Sequence, residues 1–205
     1  MYFWIGSGKL IKTIKNHRYL AKKEYTDKEL IKGCCKGNLR FQELLYRRFY
    51  AFAMSVCLRY ATSRDDALEI LNDGFMKVFE NISKHDQERP FKSWFRKILV
   101  NTALDRFRVG KRFRVSTVNE EVEVAGEPEL SRWMEAEEIL SLLSGLPDLY
   151  RLIFNLYEVE GYSHDEIAGM LDIAPGTSRS NLSRAKTMLR KSYTEKLNKP
   201  YNEAI

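Results

Sequence analysis

The chain has 205 residues, 44% hydrophobic and 30% charged, a balance that permits one large or two small folded domains and excludes an unstructured polar polymer. Its 34 Lys and Arg against 28 Asp and Glu give a net charge of +6, which suits a polyanionic partner without requiring one. No apolar run approaches the roughly 20 residues of a membrane span, the opening segment lacks a secretory signal's apolar core, and Cys34, Cys35 and Cys57 lack metal-ligand spacing. A cytoplasmic chain with neither metal nor cofactor is expected.

Residues 1–24 place Lys9, Lys12, Lys15, Arg18, Lys22 and Lys23 ahead of the first acid, Glu24, and read as a mobile basic extension. Thr26 with Glu29 is a capping-box signature that opens a short helix through Leu30 and Ile31, with Gly33 and Gly37 expected to close it. From Leu39 to about Ala61, Phe41, Leu44, Leu45, Phe52 and Val56 line one face of a longer helix. Ser63 and Asp66 then predict a third helix to about Ile82, with Ala67, Leu71, Phe75, Val78 and Phe79 inward. Opposite them, Asp66, Glu69, Asn72, Asp73 and Glu80 form an acidic face in an otherwise basic chain.

Ser83 to Pro90 is polar and ends in proline, so it reads as a loop. Beyond it, FKSWFRKILVNTALDRFRVGKRFR turns Phe91, Trp94, Phe95, Ile98 and Leu99 inward and crowds cations on the remainder. Interleaved aromatics and cations can hold a single-stranded nucleic acid, since cations follow the backbone and ring faces receive bases at about 1 to 3 kcal/mol each. Core packing is the favoured reading for Trp94 and Phe95, and phosphate contact for the cations.

Val115 to Leu130 has no helical period, five Glu and a Gly-Glu-Pro break, and reads as an acidic linker. A helical pattern resumes from Trp133 to Leu143, Gly145 stops it, and Pro147 opens another helix through Leu149, Leu152, Ile153 and Leu156. Ser163 and Glu166 make a second capping box, before a helix whose Ile167, Ala168 and Leu171 share a face. Asp172-Ile173-Ala174 interrupts, and Pro175 begins the next helix. There Leu182, Ala185 and Leu189 face inward, and Thr177, Arg179, Ser180, Ser183, Arg184 and Lys186 make an outer face without an acid. Two helices around a tight turn, the second basic on its outer side, form a helix-turn-helix able to enter a DNA major groove.

The expected fold is therefore all-α: two small helical domains joined by an acidic linker, the C-terminal one containing the helix-turn-helix. Its parts are an extension (1–24), a first helical domain (25–114), the linker (115–131), the helix-turn-helix domain (132–197) and a tail (198–205). A nucleic-acid enzyme such as a recombinase is disfavoured, because His17, His85 and His164 are scattered and no nucleophile with supporting Arg or His, glycine loop or metal cluster is visible. A stand-alone helix-turn-helix regulator would use the C-terminal half and leave the acidic and basic-aromatic segments without a role.

The segments DDALEILNDGFMKVFE, FKSWFRKILVNTALDRFR, the linker and GYSHDEIAGMLDIAPGTSRSNLSRAK, in this order, resemble a bacterial RNA polymerase sigma factor of the extracytoplasmic-function (ECF, sigma-70 family) type over roughly residues 25 to 195. The resemblance implies that Asp66, Glu69, Asn72 and Asp73 bind the coiled coil of the largest core polymerase subunit. It implies that Asn101, Thr102, Asp105, Arg106, Lys111 and Arg112 face the -10 promoter element, and that Ser83 to Pro90 pockets a flipped base. Thr177, Arg179, Ser180, Ser183, Arg184 and Lys186 would read the -35 element as duplex, Arg184 by a bidentate contact to guanine. An anti-sigma factor, commonly membrane-spanning, is an implied partner. Ala174 stands where a Ser is usual, Ser178 and Asn181 where an aliphatic and a basic residue are frequent, and Tyr157 where some members carry Arg.

Overall fold

A computed structural model describes residues 3–5, 9–11, 25–86, 88–113 and 136–197. The chain starts with two three-residue strands, β1 (Phe3–Ile5) and β2 (Lys9–Ile11), paired antiparallel with Phe3 opposite Ile11 and Ile5 opposite Lys9. This hairpin lies within the extension, and the elements described beyond it are all helices, as expected of an all-α fold. Three-residue strands are too short to show an alternating pattern, and the rest of the extension, with the linker and the tail, lies outside the described residues.

Thr26 caps α1 (Asp27–Cys35), its Oγ1 accepting from the Glu29 N-H at 3.3 Å while Glu29 accepts from the Thr26 N-H at 2.7 Å. Gly33 does not end this helix as expected; it lies within it, and Lys36 is the C-cap. A Cβ at Gly33 would stand 2.2 Å from Cγ of Phe41, so glycine is needed for close approach to the next helix. That helix, α2 (Leu39–Tyr60), begins where Asn38 Oδ1 accepts from the Arg40 N-H at 3.0 Å. Ser63 Oγ accepts from the Asp66 N-H at 3.1 Å to start α3 (Arg64–Asn81), and a single 3-10 turn, Ile82–Lys84, leads towards α4 (Phe91–Phe113).

These helices close around rings: Phe75 meets Phe95 at 4.7 Å and Phe49 meets Phe91 at 4.7 Å between centroids. Leu45, Val56, Leu71, Val78, Phe95 and Leu99 are all at most 1% exposed, each contributing about 1.5 to 3 kcal/mol on burial. Gly74 in α3 again permits close packing, since a Cβ there would lie 2.5 Å from Cδ2 of Leu99.

The C-terminal half has α5 (Ala136–Ser144), α6 (Asp148–Phe154) continued by a π-helical turn (Asn155–Val159), α7 (His164–Leu171) and α8 (Pro175–Leu197). Leu143, Leu146, Ala185 and Leu189 make a small core of their own. Leu152, Ile153, Leu156, Ile167, Leu171 and Leu182 instead continue the buried cluster of the N-terminal helices. The two halves touch where α2 meets α5 and α6, and where α4 meets α7. The contact is also polar: Asn155 Nδ2 donates to the Arg59 carbonyl at 2.9 Å, and Arg108 Nε donates to the Met170 carbonyl at 3.0 Å.

Candidate nucleic-acid interface

The acidic face of α3 is not bare. Arg106 reaches across from α4 and pairs with Asp66 at 3.3 Å, Asp73 at 3.5 Å and, closest, Glu69. Partial burial pulls the Arg106 pKa down, but Glu69, Asp66 and Asp73 together outweigh that and hold it above its ordinary value. Asn72 accepts from Tyr46 Oη at 3.4 Å, and Asp66 also accepts from the Thr62 N-H at 3.0 Å. Residues expected to bind polymerase and a residue expected to face DNA thus share one ion cluster on two packed helices.

Along α4, Asn101 is exposed, and Asp105 is exposed but held between Lys77 at 2.9 Å and Arg108 at 3.2 Å. Thr102 is 2% exposed, with its hydroxyl donating to the Ile98 carbonyl at 2.8 Å, so it offers no atom to a ligand in this packing. Lys111 and Arg112 fall in the last turn of α4, and their side chains lie outside the described residues. Phe95 is in the core as expected, whereas Trp94 is only half-buried. Its ring covers His85 at 4.9 Å between centroids, and His85, from the loop before α4, is itself 7% exposed. Burial lowers the His85 pKa below its ordinary value, with Asp86 opposing.

In the helix-turn-helix, Ser163 Oγ accepts from the Glu166 N-H at 3.3 Å and Glu166 returns the contact to the Ser163 N-H at 2.8 Å, the capping box read from sequence. Asp172, at φ 53°, ends α7 in the left-handed region and lets the chain reverse into α8. Thr177, Arg179 and Ser180 are exposed, and Ser183, Arg184 and Lys186 half-buried, along one side of α8. Lys186 pairs with Glu158 of the π-helical turn at 3.0 Å. Ser178 and Asn181, on the opposite side, are 0% and 5% exposed. Their spacing with Leu182, Ala185 and Leu189 is that of one helical face, a signal that could have placed them inward. Ser178 Oγ meets His164 Nδ1 at 2.9 Å, and the His164 ring stacks on Tyr157 at 4.5 Å.

Other site features escaped sequence reading. Glu160, with its side chain 8% exposed, accepts from Tyr60 Oη at 3.3 Å and faces Arg59 at 3.9 Å and Arg96 at 3.8 Å. All three partners come from the N-terminal helices, so no local pattern announces the site. The described residues include no group of His, Cys, Asp and Glu arranged to hold a metal ion, and no helix long and apolar enough to cross a membrane.

The family model described as Sigma-70 region 2 matches residues 45–113, and that described as Sigma-70, region 4 matches 136–189. The ECF RNA polymerase sigma-E factor of Haemophilus influenzae is 27% identical over 180 residues, covering 81% of this chain and 94% of that protein. The sigma-E factor of Escherichia coli K12 is 29% identical over 176 residues, covering 80% and 92%. Among solved structures, CnrH in complex with the cytosolic domain of CnrY is similar at 21% identity and a TM-score of 0.42, covering 81% of this chain and 96% of that one. The sigma factor RpoE in complex with the anti-sigma factor NepR from Bartonella quintana is similar at 20% identity and a TM-score of 0.45, covering 74% and 96%. With both sigma-70 regions matched in order over more than half of its length, the chain belongs to the sigma-70 family of RNA polymerase sigma factors, in its ECF branch.

Proposed function

We propose that this chain is a promoter-recognising transcription initiation factor that docks on core RNA polymerase, anchors upstream duplex through α8 and captures bases through its N-terminal helices as the strands part. One observation carries the reading: an acidic helix, a basic aromatic helix and a recognition helix whose outer reading face has no acid occur in one chain, in the order of sigma-70 regions 2 and 4. The stand-alone regulator accounts only for the last of these. Energetics favour a subunit, since opening about ten base steps costs on the order of 14 kcal/mol, more than a few stacking pockets of about 1 to 3 kcal/mol return.

In detail, Asp66, Glu69, Asn72 and Asp73 take the polymerase. Asn101, Asp105, Arg106, Lys111 and Arg112 take the -10 element, and the loop from Ser83 to Pro90 takes a flipped base. Thr177, Arg179, Ser180, Ser183, Arg184 and Lys186 take the -35 duplex. The domains are 25–114 and 132–197, with the intervening acidic segment lying in a basic polymerase channel. The chain acts in the cytoplasm, without chemistry of its own, and an anti-sigma factor restrains it, as expected of its family.

The test is run-off transcription with purified core polymerase on promoters recovered from cells overproducing the chain. Promoter-dependent transcripts are expected, and their absence on every such promoter would sink the reading. Replacing Glu69 and Asp73 by Ala should then lower holoenzyme assembly while leaving the fold intact.

A further inference from the structure

The first turn of α8, at the end that a major-groove helix sets against base edges, has few side-chain anchors of its own. Ala174 carries no capping oxygen, Pro175 and Gly176 bring no polar side chain, and the Ser178 N-H donating to the Ala174 carbonyl at 3.2 Å is an ordinary first-turn bond. The side-chain attachment in this turn is Ser178, wholly buried, whose Oγ shares a hydrogen bond with His164 Nδ1 at 2.9 Å. His164 is itself braced, its ring lying 21° from coplanar with that of Tyr157 on the π-helical turn. A continuous path of contacts therefore runs from Tyr157 through His164 to Ser178, whose chain neighbours are Thr177 and Arg179.

We propose that His164 is a positioning residue for the reading face of α8, fixing that face through its hydrogen bond to Ser178. The inference rests on the duplex-reading role given to α8 above. Held this way, Thr177, Arg179 and Ser180 meet the duplex already ordered, and the cost of ordering them is not charged against binding.

The charge around the ring adds a second readout. Asp165 on its own helix and Arg179 and Lys186 on α8 act on it, Lys186 being paired in turn with Glu158. Burial first, then Arg179, keep the ring less basic than an ordinary histidine, with Asp165 opposing. Duplex phosphates against Arg179 and Lys186 counter those cations, so His164 takes up a proton more readily in the complex. By linkage, affinity rises as pH falls through the ordinary histidine value of about 6.5.

The experiment compares Ser178→Ala, His164→Ala, the double variant and His164→Asn, in which an amide atom replaces Nδ1 but cannot titrate. In the free full-length chain, amide exchange across 177–186 should quicken in both alanine variants and stay near wild type in His164→Asn. Unchanged exchange in the alanine variants overturns the proposal whether or not any promoter complex forms. With holoenzyme on a promoter duplex that wild type binds, each alanine variant should lose about tenfold in affinity. The double variant should lose no more than either single one, and core assembly should be unaffected. His164→Asn should restore affinity near pH 8 and abolish its rise towards pH 6. Additive losses, no rescue by Asn, or the same pH slope in wild type and His164→Asn would each count against the role. Failure of wild-type holoenzyme to bind any promoter would instead strike at the proposed function.

Discussion

His85 sits beneath Trp94 and against Phe91, 5.6 Å from the latter between ring centroids, and burial there disfavours its imidazolium form. The folded chain thus binds this proton less readily than the unfolded chain, whose histidine titrates near 6.5. A depressed histidine leaves stability intact at high pH and erodes it as pH falls through about 6.5 towards the folded value. The urea midpoint of the full chain should therefore drop between about pH 7.5 and 5.5. His85→Phe, which keeps a ring against Trp94 and removes the titration, should show a smaller drop; an equal drop would place the sensitivity elsewhere. Sequence shows such residues unevenly. The acids of α3 and the basic outer face of α8 are legible because each repeats at helical spacing within one segment. Arg106 standing among Asp66, Glu69 and Asp73 is not, because the partners are 33 to 40 residues away and meet only once α3 and α4 pack.

Local chemistry decides the elements more completely. The caps at Thr26, Ser63 and Ser163 are readable because a side-chain oxygen three residues ahead of its backbone donor is a short-range arrangement. Gly33 shows the limit: a glycine near a helix end has the same sequence signature whether it stops the helix or makes room for a neighbour. Here it makes room, and the neighbour is the root of the Phe41 ring, which cannot swing aside as a chain end could. Gly33→Ala gains about 1 kcal/mol in helix propensity but forces α1 from α2 at an overpacking cost of about 1 to 3 kcal/mol. We expect net destabilisation, seen as a lower urea midpoint with faster amide exchange in α1. A more stable variant would mean that the helices yield more easily than this contact implies. The π-helical turn at Asn155–Val159 had no local sign at all, since it arises where Asn155 turns its amide to the Arg59 and Arg151 carbonyls.

Over the whole molecule the question is what holds the two helical halves against each other. The shared cluster of Leu152, Ile153 and Leu156 with the N-terminal helices supplies a non-directional attraction, which fixes proximity better than orientation. Direction comes from the hydrogen bonds of Asn155 to the Arg59 carbonyl and of Arg108 to the Met170 carbonyl, and from Glu160, which meets Tyr60, Arg59 and Arg96 together. Burial and then the Glu160 carboxylate raise the Tyr60 pKa, so the phenol remains a donor throughout the physiological range. The arginine contacts are longer than hydrogen bonds, and the Arg96 side chain is 38% exposed, so solvent screens much of their energy. Glu160→Gln should accordingly cost little, on the order of 1 kcal/mol, because its amide oxygen still accepts from Tyr60. Glu160→Lys differs in kind: it sets a third cation against Arg59 and Arg96 and leaves the Tyr60 hydroxyl without its acceptor. The apolar contact must then hold against repulsion at its rim. Small-angle scattering of the full chain should give a larger radius of gyration for Glu160→Lys than for wild type or Glu160→Gln, with helix content unchanged in all three. Equal radii would mean that the apolar contact and the Asn155 and Arg108 hydrogen bonds fix the arrangement without Glu160.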